Sequence, residues 1–364
     1  MFMIIHRSMF KELLINFLLV ISFMSFLLFM ERFVRLTRLV MGRGVEFGDV
    51  LKVFLYLQPS ILLLSIPMAI LIATFLTYGR MATDNEIIAL KGSGSSFWFI
   101  SKPAVMLSAA GFISLLFISL YLLPKGMHSF KQTLYEVIVR KASMTIEADT
   151  FSRVFKGTVI FVKETPSRNR FNGIFIYTDT QSLTKNPAVI VARDGTILSY
   201  PQEGMIELNM RNGLVHTFGD KGSSEVTFTG YKLVLTSAIE IGRERKLDEL
   251  GFLELWRGSG GNLLWHVELQ RRLAIPFACL IFGFLGPALS TRMGKTGRVG
   301  GFSLSLSLLM LYYFLLISGE GLAKAGRLSP FFGVWGPNIL FGVAAILSFY
   351  MAYKDKPIFG SRRP

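Results

Sequence analysis

The residues best placed to do chemistry lie in the run Gly79-Arg80-Met81-Ala82-Thr83-Asp84-Asn85-Glu86-Ile87-Ile88-Ala89-Leu90-Lys91-Gly92. Thr83 and Glu86 stand at the T-x-x-E spacing of a capping box, in which two side chains satisfy N–H groups at a helix start. Ala82 can staple to Ile87, acids occupy the first turn, Lys91 sits in the last, and Gly92 supplies the stop. The spacing predicts a two-turn helix. So short a helix is marginal alone, and Ile87, Ile88 and Leu90 therefore need a partner surface. The membrane surface is one candidate, but anionic lipid would repel the acidic start, which favours a protein partner. Gly92-Ser93-Gly94-Ser95-Ser96 lacks the third glycine of a dinucleotide fingerprint and reads as a flexible return.

A second group is Arg32, Arg35 and Arg38, stepping by three, with Glu31 spaced to pair with Arg35 and Arg43 following between Gly42 and Gly44. Such arginines either form a solvated helix end or hold phosphate, which a guanidinium grips with two parallel hydrogen bonds. Gly294-Lys295-Thr296 imitates the end of a Walker A loop. Leu289 replaces its first glycine, however, and an apolar run precedes it where a strand is required, so no nucleotide binds there. His216 reads as an ordinary strand residue, and the single cysteine, Cys279, excludes an internal disulfide. No catalytic constellation, metal set or cofactor motif is present, and no enzyme activity is expected.

The elements that must position these residues follow from composition. The chain has 364 residues, 51% hydrophobic and 17% charged, and its mean hydropathy is +0.49. Those values mark an integral membrane protein. Its net charge of +15 would suggest nucleic acid on a soluble chain; here it fits cytoplasmic anchoring charges and anionic lipid, and no nucleic-acid partner is expected. Apolar runs predict spans at 13–30, 53–79 and 103–123, then 273–289, 302–319 and 331–353. The first is too long for a cleaved leader and is expected to remain as an anchor. Pro59 and Pro67 should bend the second, Ala109, Ala110 and Gly111 allow close approach by the third, and Pro124 should end it.

Between the halves the period changes to two. Thr158–Lys163, Phe171–Tyr177, Ala188–Ala192, Met205–Met210, Leu214–Phe218 and Glu225–Leu235 read as strands, with Asp194-Gly195 and Asn212-Gly213 as hairpin turns. Short strands with frequent turns imply a sandwich, a jelly roll or an open barrel. The expected architecture is an α+β membrane protein, with halves at 1–124 and 273–364 and a β-jellyroll-like soluble insert with its connectors at 125–272. Basic residues in the short loops, Arg80, Lys91, Arg292, Lys295 and Arg298 among them, place the N- and C-termini in the cytoplasm and the insert outside. The Arg32 cluster then stands where the insertion rule disfavours basic residues, which favours its phosphate-binding role.

This combination resembles the lipopolysaccharide-export permeases LptF and LptG. The likeness rests on six spans with an insert after the third, on Asp84 through Gly94, and on Tyr312-Tyr313, Trp335, Pro337 and Asn338. Gly42-Arg43-Gly44-Val45 with Pro59 and Ile66-Pro67-Met68-Ala69 is more similar to the LptF branch. Gly92-Ser93-Gly94 departs from the family's usual alanine-containing version. The resemblance implies a non-catalytic subunit of an ABC transporter in the bacterial inner membrane, with the β-domain periplasmic. It implies pairing with an LptG-like permease, an LptB-like ATPase dimer docked on Thr83, Asp84, Asn85, Glu86, Ile87, Leu90, Lys91 and Gly92, and LptC-like and LptA-like periplasmic partners. Lipopolysaccharide would be the cargo, with Arg32, Arg35 and Arg38 suited to its phosphates. The alternatives are the LptG-type subunit, a membrane-anchored adaptor, and a proton-coupled transporter for which Glu320 is the clear candidate carboxylate.

Overall fold

In hydrocarbon each backbone N–H must find its acceptor within its own segment, so long apolar runs become helices. The computed structural model describes every residue except 1, 41–46, 143–147, 156–157, 168, 180–186, 201–204, 220–221, 237–246, 293–296 and 355–364. Helix α1 spans Phe2–Val40, α2 Phe47–Thr83, α3 Glu86–Gly92 and α4 Phe97–Phe117, which passes through a π-turn at Ile118–Leu122 into α5, Leu123–Ala142. Strands β1 (Thr150–Phe155), β2 (Thr158–Ser167), β3 (Arg170–Thr178), β4 (Ala188–Tyr200), β5 (Met205–Gly219) and β6 (Gly222–Thr236) follow. After a 3-10 turn at Leu247–Glu249 come α6 (Phe252–Gly258), α7 (Leu263–Ser290), α8 (Gly297–Lys324) and α9 (Pro330–Tyr353).

Among the described residues six stretches are long and apolar enough to cross a membrane: Ile5–Val34, Val50–Thr83, Phe97–Leu134, Leu263–Ser290, Gly300–Lys324 and Pro330–Tyr353. The sheet lies between the third and fourth of them. Pro124 does not end the third. It follows the π-turn, whose shifted hydrogen bonds accommodate a residue with no N–H, and the helix runs on.

The chain forms two compact units, one of Met1–Arg32, Leu57–Met127 and Leu247–Pro364, the other of Phe33–Tyr56 and His128–Lys246. In the first, α7 is the central pillar: Ala274, Ile275, Ala278, Cys279 and Phe282 are buried in one apolar core with residues of α2, α4, α8 and α9. Close approach is made by small residues. A Cβ on Gly283 would collide with Ser108 of α4, one on Gly286 with Thr74 of α2, and Gly319 of α8 faces the backbone of Gly333 in α9. Gly111 of α4 meets Ile70 of α2, whereas Ala110 is exposed. Gly283→Val should therefore lower stability by roughly 1–3 kcal/mol as α7 is forced off α4. Gly321→Ala, with open space around it, should be neutral or gain up to about 1 kcal/mol. Thermal unfolding of the detergent-solubilised protein checks both.

Helix α1 is different. Leu18, Leu19, Phe23, Phe26 and Leu27 are exposed. Among the contacts that tie its first 32 residues down are buried Met9 and Leu13, an ion pair from Glu12 to Arg80, and two further polar bonds to α2, Asn16 to Thr77 at 2.8 Å and Ser25 with Ser65 at 3.1 Å.

The second unit is a six-stranded antiparallel sheet in the order β1-β2-β3-β4-β5-β6, an up-and-down meander with no Greek-key crossover among the described residues. One face carries the apolar core, from Ile160 and Val162 to Leu233. Asp194-Gly195 and Asn212-Gly213 are not hairpin turns, and two of the expected strands merge into β5. The register instead skips one pair on each of the four ladders from β2 to β6, 163 with 173, 173 with 193, 193 with 212 and 212 with 229, and resumes unshifted on the far side of each gap. These positions form a crease across five strands. Gly173 and Asn212 take φ of 64° and 52° there, a conformation that glycine and asparagine tolerate best. Along the crease the inward face changes parity, from Phe171 to Ile174 and from Ala192 to Gly195, as a sheet does where it is bent. On the ladder from β5 to β6, Lys232 and Asn209 hold the Glu207 carboxyl below the usual carboxylate range by hydrogen bonding.

Candidate functional site

Helix α2 does not stop at Gly79. Thr83 donates to the Gly79 carbonyl at 2.9 Å inside the last turn of α2, so it caps nothing, and the expected capping box does not form. The N-cap of α3 is Asn85, in the left-handed region at φ 57° and without a side-chain cap bond. Glu86 turns to Arg80 instead. The helix end also differs: Gly92 is its last residue, and Gly94, at φ 86°, makes the left-handed stop. Its N–H donates to Lys91 O and that of Ser95 to Leu90 O, both at 3.0 Å, the two bonds of a Schellman motif. Ser96 then caps α4 through the Phe99 N–H at 3.2 Å. The expected flexible return is a defined turn.

Arg80 is the centre of this corner. Its Nε and Nη2 grip both oxygens of Glu12 in α1 at 2.6 and 2.7 Å, while Nη1 donates to Glu86 at 2.6 Å and to Asp84 at 2.9 Å. One guanidinium thus ties α1 and α2 to the first residue of α3, through the bidentate geometry at which arginine excels. Ile87 is buried in a core with Tyr78, Met81 and Ile100, and Leu90 packs against it. Ile88 faces out, 67% exposed. The corner is a rigid mount with an apolar knob and an acidic rim.

At the other end of α1, Arg32, Arg35 and Arg38 lie on a single helix, three residues apart. Arg32 is half-buried and engaged in an interaction. The side chains of Arg35 and Arg38, and all of Arg43, are outside the described residues, as is Gly294-Lys295-Thr296.

A further polar cluster sits at the start of α7. Arg272, fully buried, donates to Glu268 at 3.0 Å and to the carbonyls of Leu250 and Leu247 at 2.7 and 2.8 Å. Arg271 shares Glu268 at 3.0 Å and reaches Asp248 at 3.3 Å. Glu320 pairs with Lys324 at 2.6 Å and lies 4.0 Å from Arg271. Among the described residues no group of His, Cys, Asp and Glu could hold a metal.

Residues 7–351 match the family described as lipopolysaccharide export system permease LptF/LptG. The chain belongs to this family. The lipopolysaccharide export system permease protein LptF of Escherichia coli K12 is 20% identical over 347 residues, 95% of this chain and 94% of that protein. The LptF of Shigella flexneri aligns to the same extent. An uncharacterized protein of Rickettsia prowazekii is 23% identical over 245 residues, 67% of each chain. With its six apolar helices, this LptF/LptG chain is a multi-pass inner-membrane protein of a family of transport subunits.

Four of the residues that carried the LptF/LptG resemblance, Tyr312, Tyr313, Trp335 and Asn338, are rivets between helices. Tyr312 of α8 donates to Asn338 of α9 at 2.8 Å, and Asn338 in turn donates to the Ala274 carbonyl of α7 at 2.7 Å. Tyr313 reaches the Leu64 carbonyl of α2 at 3.0 Å, and Trp335 the Gln270 side chain at 2.8 Å. Sequence reasoning missed Arg80, Glu12, Glu268 and Arg272 as partners. The available signals were Glu12, the only acid before Glu31, and the i, i+3 and i, i+4 spacing of Glu268 to Arg271 and Arg272.

Proposed function

We propose that the chain is the LptF-type transmembrane subunit of an ABC transporter that extracts lipopolysaccharide from the inner membrane. In this reading it pairs with an LptG-like permease and is itself non-catalytic, an LptB-like ATPase dimer docking on α3. Residues 1–124 and 273–364 are the membrane halves, and 125–272 the periplasmic insert that passes cargo toward LptC-like and LptA-like proteins. The termini are cytoplasmic. Arg32, Arg35 and Arg38 hold the lipid's phosphates as it leaves the outer leaflet. The observation that carries the reading is α3: its mount is rigid, its Ile87 is spent inward, and its Ile88 is offered outward beside carboxylates. A surface knob so fixed suits a protein groove.

The test is co-purification of the coexpressed complex. Ile88→Glu should reduce ATPase recovery more than tenfold, since burying a charge in the groove costs well over 1.4 kcal/mol. Arg32→Glu with Arg35→Glu should cut bound lipopolysaccharide by more than tenfold and leave ATPase recovery at the parental level. Parental ATPase recovery with Ile88→Glu would refute the docking role, and parental lipid recovery in the double variant would refute the phosphate role.

A further inference from the structure

A groove of about 580 Å³ runs along the outside of the helical unit between α4, α7 and α9. Trp98, Ile281, Phe284, Gly342, Phe349 and Tyr350 line it, and its walls are almost wholly apolar. Its size is that of a site for a small-molecule ligand. All of these residues belong to membrane-spanning helices, so the surrounding medium is lipid. The floor is preformed: the Phe349 ring meets Phe97 at 5.1 Å, Phe284 at 5.5 Å and Trp98 at 5.8 Å between centroids. Such walls offer a filler dispersion contacts and almost no hydrogen-bond partners, which suits an apolar chain.

The mouth of the groove is of another kind. Tyr350 and Tyr353 stand in the last turn of α9, and Lys354, the next residue, places its Nζ 4.6 Å from the Tyr350 ring centre. Amphipathic aromatics and a lysine at the end of a span mark headgroup depth. A second ammonium, Lys91 of α3, lies 5.6 Å from the ring centre of Phe97, which touches the same floor. We propose that this groove is a binding site for an anionic phospholipid, one acyl chain lying along Phe284, Gly342 and Phe349 and the phosphate meeting Lys354. The charge at the mouth decides in favour of a phospholipid over an uncharged apolar molecule. The proposal rests on the spans alone and is independent of the export reading.

The experiment uses nanodiscs of phosphatidylcholine in which a minority of the lipid is brominated, either as phosphatidylglycerol or as phosphatidylcholine. Bromine quenches nearby tryptophan, and the Trp98 signal is taken as the part that Trp98→Phe removes. Brominated phosphatidylglycerol should occupy the groove about fivefold more strongly than brominated phosphatidylcholine, the factor given by one lysine near an anionic surface. Lys354→Gln should bring the two lipids level. Gly342→Leu, which adds a side chain where a Cβ would meet nothing within 4 Å, should reduce quenching by both. Equal quenching by the two lipids in the parent would mean annular contact only and overturn the proposal. A phosphatidylglycerol preference that survived both substitutions, in protein with parental unfolding temperature, would place the lipid elsewhere and overturn it too.

Discussion

Arg272→Met should destabilise the helical unit by about 3–5 kcal/mol, the cost of breaking a buried ion pair from one side. The side chain is fully buried, its partner Glu268 is 4% exposed, and three of its N–H groups are used. Methionine fills much the same volume but donates nothing. Glu268 would be left with Arg271 alone, and the carbonyls of Leu247 and Leu250 would lose their partner in a site closed to water. Because Arg271 still neutralises part of the charge, the lower end of the range is expected. Arg272→Lys should fall between, since an ammonium cannot span a carboxylate and two carbonyls as a planar guanidinium does.

Glu268→Gln combined with Arg272→Met should be less damaging than the sum of the two changes, because the buried charge goes with its partner, while Arg271 keeps Asp248 at 3.3 Å. Thermal unfolding in detergent measures all four proteins. Parental stability for Arg272→Met would deny the network any structural role, and strict additivity would show that Arg272 and Glu268 act separately. The cluster also bears on the proton-coupled alternative. The clear candidate carboxylate, Glu320, has Lys324 at 2.6 Å, and the more buried Glu268 sits between two guanidiniums. Each carboxylate is already engaged with a cation of its own helix.

The spans and the inserted sheet were legible because each rests on a run of residues: apolar length for a helix, alternation for a strand. What was lost depends on partners far apart in the chain. Arg80 and Glu12 are 68 residues apart, and the guanidinium that they place at the corner takes the Glu86 carboxylate that a capping box would have used. A capping box is a local pattern, and a long-range ion pair overrode it. The crease in the sheet was hidden for the opposite reason. Asn212-Gly213 supplies the left-handed residue that a hairpin needs, but here it serves a bend within one strand, and the parity change beside it broke the alternation in two. Arg272 is the last residue of the expected insert and its connectors, although its spacing from Glu268 already allowed a pair on one helix face.

Arg80→Gln should leave the protein folded and disable the corner at α3. Arg80 is 22% exposed, so its ion pairs are partly screened and the loss should stay near that of one or two charged hydrogen bonds, roughly 1.5–3 kcal/mol locally. The consequence lies in geometry. Three carboxylates from α1, the turn after α2 and the start of α3 would face one another without their cation, and repulsion would swing Glu86 and the whole of this seven-residue helix off its mount. A shift that frees Ile87 from its core would move Ile88 as well. ATPase recovery should then fall about tenfold or more, the factor that 1.4 kcal/mol gives, and lipid release from proteoliposomes with it. Glu12→Gln separates the two links: it loosens α1 but leaves Arg80 holding Glu86, so ATPase recovery should remain near the parental level while lipid release falls. Glu86→Gln should do the reverse, weakening ATPase recovery first. Identical behaviour of Glu12→Gln and Glu86→Gln in both assays would mean that Arg80 only stabilises the corner and that α1 takes no part in coupling.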